Sequence, residues 1–144
     1  MAFRGTFDFT LDAKNRLTVP SKLRAAFSDG VVLAAGFEPC VGVWVPADYD
    51  AWTQSLLAGR DTLSPAVRQL QRHFNSNAIA TELDGAGRVM VPRFLMEYAG
   101  LDREVSLVGT GPSLELWDRE KWAAYNADVT SNVVDIAAGL GAAE

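Results

Sequence analysis

Leu11-Asp12-Ala13-Lys14-Asn15-Arg16-Leu17-Thr18-Val19-Pro20 recurs later in the chain as Leu83-Asp84-Gly85-Ala86-Gly87-Arg88-Val89-Met90-Val91-Pro92. Aspartate, arginine and proline keep their separations, and apolar residues match around them. The correspondence runs outward. Leu23 matches Leu95, Val31-Val32-Leu33 matches Val105-Ser106-Leu107, and the apolar run ending at Trp44 matches Leu114-Glu115-Leu116-Trp117. Trp52 and Trp122 follow in similar roles, with a small length difference between the halves. So ordered a series marks an internal repeat, two related structural units in one chain.

Each copy has a local reading. Phe7, Phe9 and Leu11 alternate with Asp8 and Thr10, the period of a half-buried strand. Asp12 to Asn15 is turn chemistry, and Asn15 tolerates a left-handed backbone as Gly87 does in the second copy. Leu17 and Val19 resume the alternation, so strand, turn and strand read as a hairpin. Pro20 and Pro92 suit the first turn of a short helix, and the second such helix should end near Ala99, capped by Gly100. Residues 31–35, 41–45, 105–108 and 114–117 read as further strands, and Asp48 and Asp118 as starts of short helices carrying Trp52 and Trp122. Ser64-Pro65 opens a connecting helix with Val67, Leu70 and Phe74 on one face and Arg68 and Arg72 on another. The small residues that finish the chain have little to pack, and that tail is expected to fray.

These readings divide the chain into a first repeat (3–56), a connecting helical segment (57–80), a second repeat (81–126) and a tail (127–144). A unit of about 45 residues buries too little surface to stand alone. Two units therefore predict a pseudo-symmetric arrangement, mainly β with short helices (α+β), closed in part into a barrel. The pattern does not itself establish an exchange of strands between the halves.

Composition sets outer bounds. The 144 residues are 49% hydrophobic and 22% charged, which permits an ordinary core. No run approaches the ~18 apolar residues of a membrane span, and the opening Met1-Ala2-Phe3-Arg4-Gly5-Thr6 lacks the apolar stretch of a signal peptide. Cys40 has no internal partner and reads as a small buried apolar residue, so a reducing cytoplasm is expected. The net charge of −5 opposes nucleic acid at first sight, since counterion release rewards basic surfaces. Residues 1–27, however, hold Arg4, Lys14, Arg16, Lys22 and Arg24 against Asp8 and Asp12, which is +3 and leaves −8 for the remainder. Taken alone, that asymmetry is ordinary scatter of surface charge.

At these motifs the chain resembles the MraZ family, whose halves are AbrB-like swapped-hairpin units. The family's repeated Asp-x-x-x-Arg signature is present as Asp12…Arg16 and Asp84…Arg88, and its opening Phe-Arg-Gly as Phe3-Arg4-Gly5. The first loop usually reads Asp-x-Lys-Gly-Arg; here Asn15 replaces the glycine, the mildest exchange for a left-handed backbone. Tyr98-Ala99-Gly100-Leu101, Val108-Gly109 and Glu115-Leu116-Trp117 are also similar, so the resemblance spans roughly residues 3–125. It implies a pseudo-twofold swapped-hairpin barrel and a transcriptional regulator that represses its own division and cell-wall operon through direct repeats upstream. It further implies ring-like homo-oligomers, a cytoplasmic and nucleoid-associated location, and neither catalysis nor a cofactor.

Site residues follow from the difference between the loops. An aspartate opening a tight turn accepts backbone N–H groups and an arginine across it pairs with the carboxylate, so Asp12, Asp84 and Arg88, with Pro20 and Pro92, are assigned to the fold. Lys14 beside Arg16 gives the first loop the stronger field for a phosphate or base edge. Arg16 is expected to reach a base edge of double-stranded DNA, Lys14 to meet phosphate or an adjacent base, Asn15 to shape the turn and offer a backbone or side-chain hydrogen bond, and Arg4 to supply a weaker phosphate contact. Arg68, Arg72 and His73 read as the polar face of a linker helix, and the tryptophans as packing residues. One histidine and one cysteine make no metal site. The rivals are a small β-barrel enzyme using an aspartate as acid or base, and an antitoxin-like protein-interaction module. Aspartates paired with arginines stay ionised, which weighs against the first; the acidic body keeps the second open.

Overall fold

The alternation at Phe7 and Phe9 produces strand β1 (Thr6–Thr10) in the computed structural model, which describes residues 2–142. After the first turn come β2 (Arg16–Thr18), a 3-10 helix (Ser21–Phe27), β3 (Val31–Ala35), β4 (Val41–Trp44) and helix α1 (Pro46–Leu57). Helix α2 (Pro65–Ser76) joins the halves, and β5 (Ala78–Thr81), β6 (Arg88–Met90), α3 (Arg93–Ala99), β7 (Glu104–Gly109) and β8 (Leu114–Asp118) repeat the series. Helices α4 (Arg119–Ser131) and α5 (Val133–Ala142) follow.

Several boundaries follow from local chemistry. Pro65 stands at the first position of α2, with Ser64 before it as cap residue, although the serine side chain makes no capping bond. Gly100 ends α3 in the left-handed conformation, φ 61°. Pro20 and Pro92 sit one residue ahead of their helices as cap residues. Asp118 caps α4 by accepting from the Lys121 N–H at 3.1 Å. Asp48 does not start α1, which begins at Pro46. The tail expected to fray is helical through Ala142, in keeping with the helix preference of its alanines; the expectation for 143–144 lies outside the described residues.

The expected local hairpins are not formed. Two backbone bonds, Asp12 N–H to Arg16 O at 3.3 Å and Asn15 N–H to Asp12 O at 2.9 Å, close the first turn, and the flanking strands then part. Strand β1 pairs antiparallel with β7 (Phe7 opposite Leu107, Phe9 opposite Val105), and β5 pairs with β3. Strand β2 pairs with β6 in a separate two-stranded ribbon, Leu17 opposite Val89. Strands thus find partners in the opposite half, because their buried faces must reach one shared core.

The expected barrel is likewise absent. The main sheet is open, in the order β1-β7-β8-β4-β3-β5, with β1 and β5 at its edges. Its inner face (Leu33, Val43, Leu107, Leu116) packs on Leu17, Val19 and Leu23 from the first half and Val89, Val91 and Leu95 from the second. The ribbon and the two short helices cover this core, so the sheet need not close on itself.

Aromatic packing corrects the sequence register. Trp44, Tyr49 and Trp52 form a triad, and Trp117, Trp122 and Tyr125 form its counterpart, so Trp122 corresponds to Tyr49 and the spacing within the two triads is the same. The pair distances agree closely: 5.6, 5.0 and 6.1 Å in the first triad, 5.4, 4.9 and 6.1 Å in the second. Phe74 of α2 covers the first triad, and the Tyr49 hydroxyl donates to its carbonyl at 2.7 Å.

Candidate nucleic-acid interface

Asp12 organises the first turn with both carboxylate oxygens. Its Oδ1 accepts the N–H groups of Lys14 and Arg16, each at 2.9 Å, and its Oδ2 accepts Arg16 Nε at 2.6 Å. The Asn15 N–H donates to the Asp12 carbonyl at 2.9 Å, with Asn15 in the left-handed region at φ 57°. The second turn repeats this around Asp84: Ala86 and Arg88 N–H donate to Oδ1 and Arg88 Nε to Oδ2, all at 2.9 Å, with Gly87 at φ 75°. The backbone N–H bonds from Arg16 and Arg88, joined by the facing guanidinium groups, hold the Asp12 and Asp84 carboxyls below the usual range. Both are anions at neutral pH.

The ribbon aims what the turns hold. Leu17 and Val89 are buried, so the alternate positions Arg16, Thr18, Arg88 and Met90 point outward on one face. The halves are tied end to end, since Asn15 O accepts the Val91 N–H and Gly87 O accepts the Val19 N–H, both at 2.9 Å. Asp12 takes only the Nε of Arg16, and among the described residues the Arg16 Nη groups make no hydrogen bond. Lys14 and Asn15 are exposed beside them.

Of the residues singled out in the sequence, Lys14, Asn15 and Arg16 therefore meet at one tip. Arg4 does not join them. It lies at the opposite end of β1, its backbone against Gly109 beside the Phe3–Gly111 bridge, roughly 25 Å from the turn at the usual strand rise. Thr18 and Met90 were missed, although period two across each short strand would have found them. Arg119 was also missed. It donates to the Phe9 carbonyl at 2.7 Å and lies 3.4 Å from Glu104, bracing β1 against β7 just before the turn. No local signal marks it, because its partners come from two distant segments. Cys40 is buried, and burial pushes its thiol well above the usual range.

The family model described as "MraZ protein, putative antitoxin-like" matches this chain over residues 2–72 and again over 74–138. The chain belongs to the MraZ family. Among MraZ relatives, the "Transcriptional regulator MraZ" of Symbiobacterium thermophilum is 36% identical over 137 residues, covering 95% of this chain and 99% of the relative. The protein of the same name from Syntrophomonas wolfei is 35% identical over 138 residues, 96% of each chain. That of Spiroplasma kunkelii is 37% identical over 126 residues, 87% of each. The two MraZ matches meet inside α2, the helix that joins the repeats. Among the described residues no helix is long and apolar enough to cross a membrane.

Proposed function

We propose that this chain is a DNA-binding transcriptional regulator whose first Asp-x-x-x-Arg turn reads a base edge. One observation carries the reading: Asp12 fixes the inner edge of the Arg16 guanidinium and leaves its Nη groups free on an outward ribbon. A two-stranded ribbon fits the major groove, and paired guanidinium donors match the O6 and N7 acceptors of guanine. Lys14 neutralises an adjacent phosphate and Asn15 sets the turn. Arg4, at the far end of β1, meets phosphate only on a second stretch of the duplex. The names of the relatives support regulation in general.

In the finer reading, the chain represses its own division and cell-wall operon through direct repeats upstream and works as a ring-like homo-oligomer at the nucleoid. One turn supplies little affinity, and several turns on successive repeats raise it through effective concentration. The exposed Val134 and Leu140 of α5 support self-association. The same exposed aliphatics favour the second reading, an antitoxin-like protein-interaction module, which the family description also suggests.

The deciding experiment is a gel-shift titration against the DNA upstream of the chain's own coding sequence at two salt concentrations. Selective binding that weakens with salt is expected, with at least a tenfold loss in Arg16→Ala. Equal binding by a folded Arg16→Ala protein removes the site. No binding by the wild type leaves the interaction module.

A further inference from the structure

The two turns differ in sequence more than in space. The second lacks a lysine: Ala86 stands where Lys14 does, and Gly87 where Asn15 does. Yet Gly87 is covered. A Cβ added there would strike the Arg24 guanidinium, which crosses that backbone with its Nε donating to the Val19 carbonyl at 2.8 Å. The Val19 N–H in turn donates to Gly87 O at 2.9 Å, so an arginine from the first half is fastened onto the turn of the second. Arg24, Glu82, Asp84, Gly85 and Gly87 line one shallow groove. At the first turn the position corresponding to Arg24 is Met96, which carries no guanidinium to lay across it.

Each aspartate turn thus has two cations near it: Lys14 and Arg16 about Asp12, and Arg24 and Arg88 about Asp84, where Glu82 adds a second carboxylate to the groove. Both second-turn arginines use Nε for anchoring, and among the described residues their Nη groups make no hydrogen bond. Arg88 faces outward on the same ribbon as Arg16, opposite Thr18 where Arg16 is opposite Met90. That offset places their Cα atoms roughly 8 Å apart, within one major groove about 12 Å wide.

We infer that the second turn is a second DNA contact of the same ribbon, with Arg88 at a base edge and the borrowed Arg24 doing for phosphate what Lys14 does at the first turn. This rests on the DNA-binding reading above and extends it: one chain grips a groove at two points through a composite tip. The glycine at 87 is then required by the arginine laid across it as well as by its backbone angle.

The test is titration of full-length variants against the same upstream duplex over a range of salt, with thermal melts as the folding control. Arg72→Gln, on an exposed face of α2, removes the same charge away from the ribbon and sets the baseline. Arg24→Gln keeps a donor for the Val19 carbonyl and should weaken binding roughly tenfold and reduce the salt slope by about 0.9 relative to that baseline. Arg88→Gln should weaken it at least as much. Ala86 is exposed and its side chain makes no bond, so a charge there leaves the fold alone. Ala86→Lys should tighten binding and steepen the slope by about 0.9, and Ala86→Glu should weaken it. If both Ala86 variants bind alike, or Arg24→Gln and Arg88→Gln match the baseline while Arg16→Gln loses binding, the second contact is overturned and the first stands. If the wild type does not bind, both fall.

Discussion

Asn15 adopts φ 57°, a conformation that costs most L-residues about 1–2 kcal/mol. Asparagine tolerates it, so Asn15→Ala should lower stability by about 1 kcal/mol in urea unfolding, while Asn15→Gly should not. The aspartates beside these left-handed residues set a pH dependence. Their lowered pKa values mean that each stabilises the fold above the ordinary aspartate range, about 3.9, and that this contribution is lost as pH falls through the lowered value. Melts of Asp12→Asn should therefore lie below wild type at neutral pH, the gap closing as pH falls through the lowered carboxyl value; a gap constant with pH assigns the loss to some other cause. These residues were legible in the sequence because turn chemistry is local. Arg24 was not, since nothing near it in the chain announces that its guanidinium will rest on Gly87.

Strands β1, β3, β4, β7 and β8 were legible from apolar patterning, and α2 and α3 from proline and glycine at their ends. Their partners were not. Alternation states which side of a strand is buried and leaves open which strand lies beside it, so β1 and β2 read as a hairpin although each pairs across the halves. The aromatic triads show the same limit: identical residue types drew Trp52 opposite Trp122, whereas space pairs Trp122 with Tyr49. The ribbon is the element on which both turns depend. Leu17 is buried opposite Val89, so Leu17→Ala should cost about 2–5 kcal/mol by denaturant unfolding and should also weaken DNA binding by a folded fraction of protein. A loss below about 1 kcal/mol contradicts the core role given to the ribbon.

At the scale of the whole molecule, the core draws on both repeats and neither holds a complete share. Leu17, Val19 and Leu23 meet Val89, Val91 and Leu95 under one sheet whose edges, β1 and β5, also come from different halves. Separately produced fragments 2–72 and 74–138 should each lack cooperative melting, and mixing them should restore it; a folded single fragment contradicts the shared core. The repeat was legible because two copies sit in one chain, whereas the open sheet was not, since it depends on which elements cover the core. The cross-half ribbon also has a consequence for synthesis. Lys14 and Arg16 leave the ribosome early, yet the strand that aims them spans Arg88–Met90 and is made much later. Until Arg88–Met90 has been made the Lys14–Arg16 turn has no strut, and a product cut short before Arg88 carries the charged turn without the strand that presents it.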